Sequence, residues 1–190
     1  MKYNFKKTIF GNIPINWEII DFKDVLIDRT EKSNDTNINM YSVTNKGIIP
    51  RADKFNKKLA DSASKFKLIY KNDLVFGMSR EILNWGIMKE DVGGVSSAYK
   101  VFKIDNSINP MYVELFIKHW IIYFMDIIKP ASREGQSIDK SMLFKKSMYV
   151  IPKSHQDKIL YVLNKINEKI ENNKKINKNL HNRFDKVLNK

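Results

Sequence analysis

The spacing of apolar residues divides the chain near Ile151-Pro152, with short, punctuated segments before that point and one unbroken period after it. Gly11-Asn12-Ile13-Pro14 reads as a turn. Trp17 to Leu26 then offers Trp17, Ile19, Ile20, Phe22, Val25 and Leu26 to a core, and the polar run 28–39 reads as a loop. Tyr41-Ser42-Val43-Thr44 alternates like a half-buried strand, and Asn45-Lys46-Gly47 turns the chain. Residues 51–67 are basic, either helical or irregular. Leu68 to Tyr70 and Leu74 to Phe76 predict strands around a Lys71-Asn72-Asp73 turn, and Val95 to Ile104, after Gly93-Gly94, has the clearest strand pattern. Asn109-Pro110 opens a helix running to about Met125, rich in aromatics, a loop follows at 132–136, and Met148 to Ile151 is a last strand. Short strands mixed with helices predict a small α+β domain over 1–152, followed by one long helix over 153–190.

That helix carries the plainest pattern. Steps of four and three from Ile159 give Ile159, Leu163, Ile166, Ile170, Asn173, Asn177, Leu180, Phe184 and Val187, of which seven are apolar. A 3.5-residue repeat holds such a stripe toward a partner helix, so a coiled coil is predicted. Leu160, Val162, Ile176 and Leu188 widen the seam. Ser154 and Asp157, just after Pro152, resemble a capping box, and no Gly or Pro interrupts 153–190. A helix of about 34 residues is roughly 50 Å long, which exceeds what a domain of this size can cover. Asn173 and Asn177 interrupt the seam; a buried Asn weakens a coil and sets its register. The alternative is that both face water and the helix packs elsewhere. One such helix requires its mate from another chain.

Composition changes the picture in one direction. The 190 residues carry a formal charge of +13, from 34 Lys and Arg against 21 Asp and Glu. A basic chain suits a polyanion, and nucleic acid is the commonest. The charge is shared, with a net of +7 over 1–152 and +6 over 153–190. The absence of cysteine excludes disulfides and thiolate metal sites and fits a reducing cytoplasm. MKYNFKK leads into no secretory signal, and the run Trp120 to Met125 is too short to span a bilayer.

Catalytic patterns are lacking. There is no Walker A sequence, and His119, His155 and His181 are scattered. No carboxylate pair with a nearby lysine marks a nuclease centre, and Asp73 reads as a capping or solvated turn residue. Asn109-Pro110-Met111-Tyr112 resembles the Asn-Pro-Pro-Tyr of amino-methyltransferases, but Met111 breaks it and no glycine-rich loop precedes it; a helix start with Pro in the first turn explains it better.

Several stretches together resemble the specificity subunit of type I restriction–modification enzymes. Ile13-Pro14-Ile15-Asn16-Trp17-Glu18 is similar to the family's opening IPxxWE. Tyr41 to Val43 with Gly47-Ile48-Ile49 is similar to its early strand and glycine turn. Tyr70-Lys71-Asn72-Asp73-Leu74-Val75-Phe76 is similar to its KxGDLVF, with Asn72 where Gly is usual. Gly94-Val95-Ser96-Ser97-Ala98-Tyr99 is similar to GxxSSAY, and Asn109-Pro110-Met111-Tyr112 to xNPxYL. Gln136-Ser137-Ile138 with Val150-Ile151-Pro152 is similar to the closing GQxxI…IPxP. His155 to Ile159 is similar to EQxKI, with His155 where Glu is usual.

The family's usual subunit has two recognition domains, each followed by a long helix, and the two helices pair antiparallel as a spacer. The resemblance therefore implies a half-subunit, natural or engineered, that recognises double-stranded DNA. It implies a partner methyltransferase subunit holding S-adenosylmethionine and a restriction subunit using ATP and Mg, with no cofactor in this chain and no membrane. Partners are a second copy or another half-subunit, and identical half-subunits would recognise an inverted repeat with a nonspecific gap. Phosphate contacts are assigned to Lys54, Lys57, Lys58, Lys65 and Lys67. Base edges are assigned to Arg80, Asn84, Arg133, Gln136 and Ser137, because Arg suits guanine and Asn or Gln suits adenine. Trp85 is placed beneath such a loop. Three alternatives stay open: a coiled-coil scaffold that never touches DNA, a small enzyme with an unrecognised site, and the recognition subunit of a bifunctional restriction–modification enzyme outside type I.

Overall fold

A computed structural model of the chain describes residues 4–33, 38–51, 66–79, 81–129 and 137–188; the side chains of Lys129, Ser137, Arg183 and 186–188 lie outside the description. The chain forms two compact units, Met1–Val150 and Ile151–Lys190. It is an α+β head followed by a long C-terminal helix. No helix among the described residues is long and apolar enough to cross a membrane.

The chain opens with a hairpin of β1 (Phe5–Thr8) and β2 (Gly11–Pro14). Its turn falls at Ile9-Phe10, two residues before the expected turn, because Gly11 already begins the returning strand. Trp17 to Leu26 resolves into β3 (Glu18–Asp21), the short helix α1 (Phe22–Val25) and the start of β4 (Leu26–Asp28). Next come β5 (Tyr41–Thr44), β6 (Gly47–Pro50), β7 (Lys67–Tyr70), β8 (Leu74–Phe76), β9 (Trp85–Ile87), β10 (Val92–Val95) and β11 (Lys100–Ile104). Helix α2 (Pro110–His119) is followed by a 3-10 segment, Ile121–Ile127, then by β12 (Ile128–Lys129), β13 (Ser137–Ile138), α3 (Lys140–Phe144), β14 (Ser147–Val150) and α4 (Lys153–Leu188).

Strands β4 to β11 run round a closed circuit. The four-stranded sheet has the order β4-β11-β8-β9, and β5-β6 and β7-β10 are antiparallel pairs beside it. Backbone bridges join them: Lys32 pairs with Lys67 and Met40 with Gly94. On the remaining side β9 presses on β6, where a Cβ on Gly86 would lie 3.0 Å from the Ile48 amide nitrogen. Tyr41, Val43, Ile69, Val75, Met88, Val95 and Val101 fill the middle. Each such side chain, fully buried, contributes on the order of 1.5–3 kcal/mol. Packing is tight enough to require glycine at Gly93, whose Cβ would fall 2.4 Å from the Tyr41 ring.

The second core is aromatic. The Phe10 ring meets Phe116, Trp120, Tyr123 and Tyr149 edge-on, with centroids 5.2–5.6 Å apart. Trp17 stacks on Tyr149, and Phe22 meets Phe124. Strand β14 pairs with β3, so the end of the head is tied to its beginning.

Three expected elements differ. The strand pattern Val95 to Ile104 is split, because the Tyr99 amide donates to the Ser96 carbonyl and turns the chain between β10 and β11, which belong to different sheets. The helix expected through Met125 ends at His119; the tighter three-residue turn after Trp120 brings Phe124 and Ile127 to one buried face. The supposed loop 28–39 is wired into the circuit in its described part, where the Ser33 amide donates to the Phe66 carbonyl and Ser33 is buried.

The helix start at Asn109-Pro110 is as expected. The Asn109 side chain accepts from the Met111 amide, and Pro110 occupies the first turn. The Tyr112 hydroxyl, the last residue of that motif, donates to the Tyr149 carbonyl. This is a structural use of the residues that look like a methyltransferase motif.

Helix α4 has 36 residues. The capping box expected at Ser154 does not start it. The Pro152 carbonyl accepts from the His155 and Gln156 amides, so the helix begins one residue before Ser154. The Gln156 amide group donates to the Ile151 carbonyl, and Gln156 and Leu160 are buried. Along the seam, Ile159, Ile166, Ile170, Leu180 and Phe184 are 45–62% exposed, Leu163 is half-buried, and Asn173 and Asn177 are exposed.

Candidate nucleic-acid interface

Most of the residues expected to touch DNA fall outside the description. Lys54, Lys57, Lys58, Lys65, Arg80, Arg133 and Gln136 all lie there. Lys67, Asn84 and the backbone of Ser137 are described, and they show what anchors those segments.

Lys67 opens β7, two residues after Lys65. Its ammonium donates to the Tyr99 carbonyl at 2.8 Å. Burial holds its pKa below the ordinary lysine value; the nearby positive Lys100 and Lys140 add to this, and Asp28 opposes them. Lys100 opens β11 and Lys140 opens α3, where the Asp139 carboxylate accepts from the Ser141 and Met142 amides. The Lys140 ammonium is paired with Asp28. Lys100 and Lys140, from distant parts of the chain, thus stand near enough to Lys67 to act on its charge, and Lys140 pairs with Asp28. Ser137 lies opposite Lys129 in the β12–β13 pair, three residues before Lys140. These lysines stand at the roots of two of the three segments that hold the expected DNA contacts: 52–65 runs into Lys67, and 130–136 runs into Ser137 and Lys140. Lys100 and Lys140 escaped the sequence reading because neither lies in the basic run that holds Lys67; only the folded chain brings them near it.

Asn84 is occupied by its own loop. Its side-chain amide donates to the Met78 carbonyl, its backbone amide to the Ser79 hydroxyl at 2.8 Å, and its carbonyl accepts from the Gly77 amide at 2.8 Å. Ser79 is buried. These bonds pin both ends of the segment in which Arg80 lies in sequence. Trp85 belongs to β9, opposite Phe76, and lines an open cleft of about 410 Å³ with Lys46, Ile82, Lys89 and Lys118.

Asp73 is buried, contrary to a solvated turn residue. It accepts from the Tyr70 amide at 2.9 Å, as a capping residue does. The Arg29 guanidinium lies against it, Nε 2.7 Å from one oxygen and Nη2 3.1 Å from the other. Arg29 also covers the Tyr70 ring at 4.6 Å. Burial pushes the Asp73 carboxyl up, while the Tyr70 amide and Arg29 pull it down. Asn72 beside it has φ +71°, a left-handed conformation that Asn and Gly tolerate best. That accounts for Asn72 standing where the similar family usually has Gly.

Among the described residues no group of three His, Cys, Asp or Glu could hold a metal. His119 is exposed with its ring edge-on to Trp120, and His181 lies 3.6 Å from Asp185.

No family model matches the chain, and no curated protein does. Among solved structures it is similar to the HsdS subunit from Thermoanaerobacter tengcongensis, with a TM-score of 0.55 and 12% identity over 87% of this chain and 40% of that one. It is also similar to a chain from a structure solved to explain complex assembly and conformational transition of the type I R-M system, with a TM-score of 0.54 and 13% identity over 86% of this chain and 45% of that one. The likeness is one of fold. The chain spans less than half the length of each.

Proposed function

We propose that the chain is a sequence-specific DNA-binding half-subunit of the specificity component of a type I restriction–modification system. The observation that carries this reading is the joining of an HsdS-like head to a 36-residue helix whose apolar stripe is exposed. The head reads one half of a bipartite, palindromic target in double-stranded DNA. The arm pairs with a second arm and fixes the distance between two heads, as dimer geometry sets half-site spacing in other DNA readers.

Within the head, the Lys67–Lys100–Lys140 cluster and Lys54, Lys57, Lys58 and Lys65 hold phosphates. Arg80, Arg133, Gln136 and Ser137 read base edges. Asn84 serves by bracing the Arg80 segment. Catalysis belongs to partners: a methyltransferase subunit supplies S-adenosylmethionine chemistry, and a restriction subunit uses ATP and Mg.

Methylome sequencing with and without this chain, beside its methyltransferase, tests the reading. A two-part symmetric motif methylated only when the chain is present is expected; methylation indifferent to the chain rejects it. Lys100→Gln with Lys140→Gln should weaken binding to cognate and random duplexes alike and lower the salt slope by about two, roughly one per phosphate contact. An unchanged slope removes the cluster from the interface.

A further inference from the structure

The two asparagines of the arm are placed so that they match only in certain registers. In a 3.5-residue repeat the seam alternates between two kinds of position. Leu163, Ile170, Asn177 and Phe184 are one kind; Ile159, Ile166, Asn173, Leu180 and Val187 are the other. When two such helices run in opposite directions, each layer joins one position of each kind. Residue numbers fall along one helix as they rise along the other.

We infer, granting the arm pairing proposed above, that two copies of this chain pair antiparallel in one register, with Asn173 of each against Asn177 of the other and the two-fold axis at Lys175. The remaining layers then join Leu163 with Val187, Ile166 with Phe184, and Ile170 with Leu180, all apolar on both sides. Sliding one heptad in either direction sets Asn173 against Ile170 or Phe184 and leaves all four amides facing apolar side chains. Unpaired buried amides are penalised, so this register is selected against its neighbours.

A parallel, in-register pair would also match the asparagines. It would bring two heads, each with a net charge of +7 over 1–152, to the same end of the coil and align the two helix dipoles. The antiparallel pair separates the heads and opposes the dipoles. It sets the two Lys153 starts about 65 Å apart along the coil, at about 1.5 Å per residue. A slip of one heptad would change that distance by about 10 Å, or about three base pairs of duplex. The asparagines therefore fix the gap of the target.

The chain has no cysteine, so introduced thiols report only on themselves. Full-length chains bearing Asn173→Cys are mixed and reassociated with chains bearing Asn177→Cys, then mildly oxidised. The mixture should give disulfide-linked dimers, and each variant alone should not, because like positions lie beyond the roughly 7 Å limit for a disulfide. Ile170→Cys mixed with Leu180→Cys repeats the test with the asparagines intact. Linkage of each variant with itself would mean parallel helices and overturn the register. No linkage in either mixture, with the native chain still sedimenting as a dimer, would overturn the register and leave arm pairing standing. A native chain that sediments as a monomer would overturn both.

Discussion

Isoleucine behaves oppositely in the two units. Ile69, Ile117 and Ile127 of the head are wholly buried, whereas Ile166 and Ile170 of the arm are nearly half exposed. The residue type is the same; what differs is whether the chain can surround it. Strands that close on themselves, with an aromatic cluster beneath, finish the head without help. A lone helix buries one stripe only against a second helix. The exposed stripe is the surface that the proposed arm pairing would cover, and each experiment below perturbs one unit while leaving the other as its control.

The largest effect is expected at the stripe. Ile166→Asp with Ile170→Asp buries four charges per dimer and should weaken pairing at least a thousand-fold, about 4 kcal/mol or more. Gel filtration should show a monomer, while the head's thermal unfolding stays in place. A variant that still runs as a dimer would mean that the seam lies elsewhere.

Next comes the buried pair in the head. Asp73→Ala leaves Arg29 without its nearest carboxylate and the Tyr70 amide without an acceptor. Breaking such a pair costs about 3–5 kcal/mol, read from the denaturant midpoint, with pairing through the arm unchanged. A loss below about 1 kcal/mol would show that Arg29 is served equally well by Glu31, which lies 4.0 Å away.

Asn72 should show a smaller, graded response. Asn72→Gly is expected to be near neutral, and Asn72→Val should cost about 1–2 kcal/mol because a branched side chain resists the left-handed backbone. Equal stability of the two variants would contradict the conformation.

The smallest effect separates the units by sign. Lys169 and Lys174 flank the seam, and Lys174 is partly neutralised by Glu171 of its own helix at 2.7 Å. Raising salt from about 0.05 to 0.2 M should tighten arm pairing a few-fold by screening these lysines. The same change should weaken DNA binding by the head by orders of magnitude. Pairing that weakens with salt would point to a partner with acidic flanks.

What could be read from the chain in advance follows the same division. The arm was legible because one helix has one period, and seven apolar residues recur along it at fixed steps. Tyr41–Thr44, Leu74–Phe76 and the Asn109-Pro110 helix start were legible because each carries its own local signal. The break at Ser96 and the 3-10 turn after Trp120 were not, since each depends on structure that no local period encodes. Of the lysines proposed to hold phosphates, Lys67 lay in a basic run of the sequence, whereas Lys100 and Lys140 come near it only through folding. Asn84 had the side chain of a base reader, yet its amide is taken by Met78, a bond invisible without the loop's path.

Sedimentation of the unmodified chain tests the central claim most directly. Across micromolar concentrations the account predicts a species of twice the 22.4 kDa chain mass, elongated by its paired arms. A species that stays at the mass of one chain up to the highest concentration measured, with the stripe bare, would contradict it.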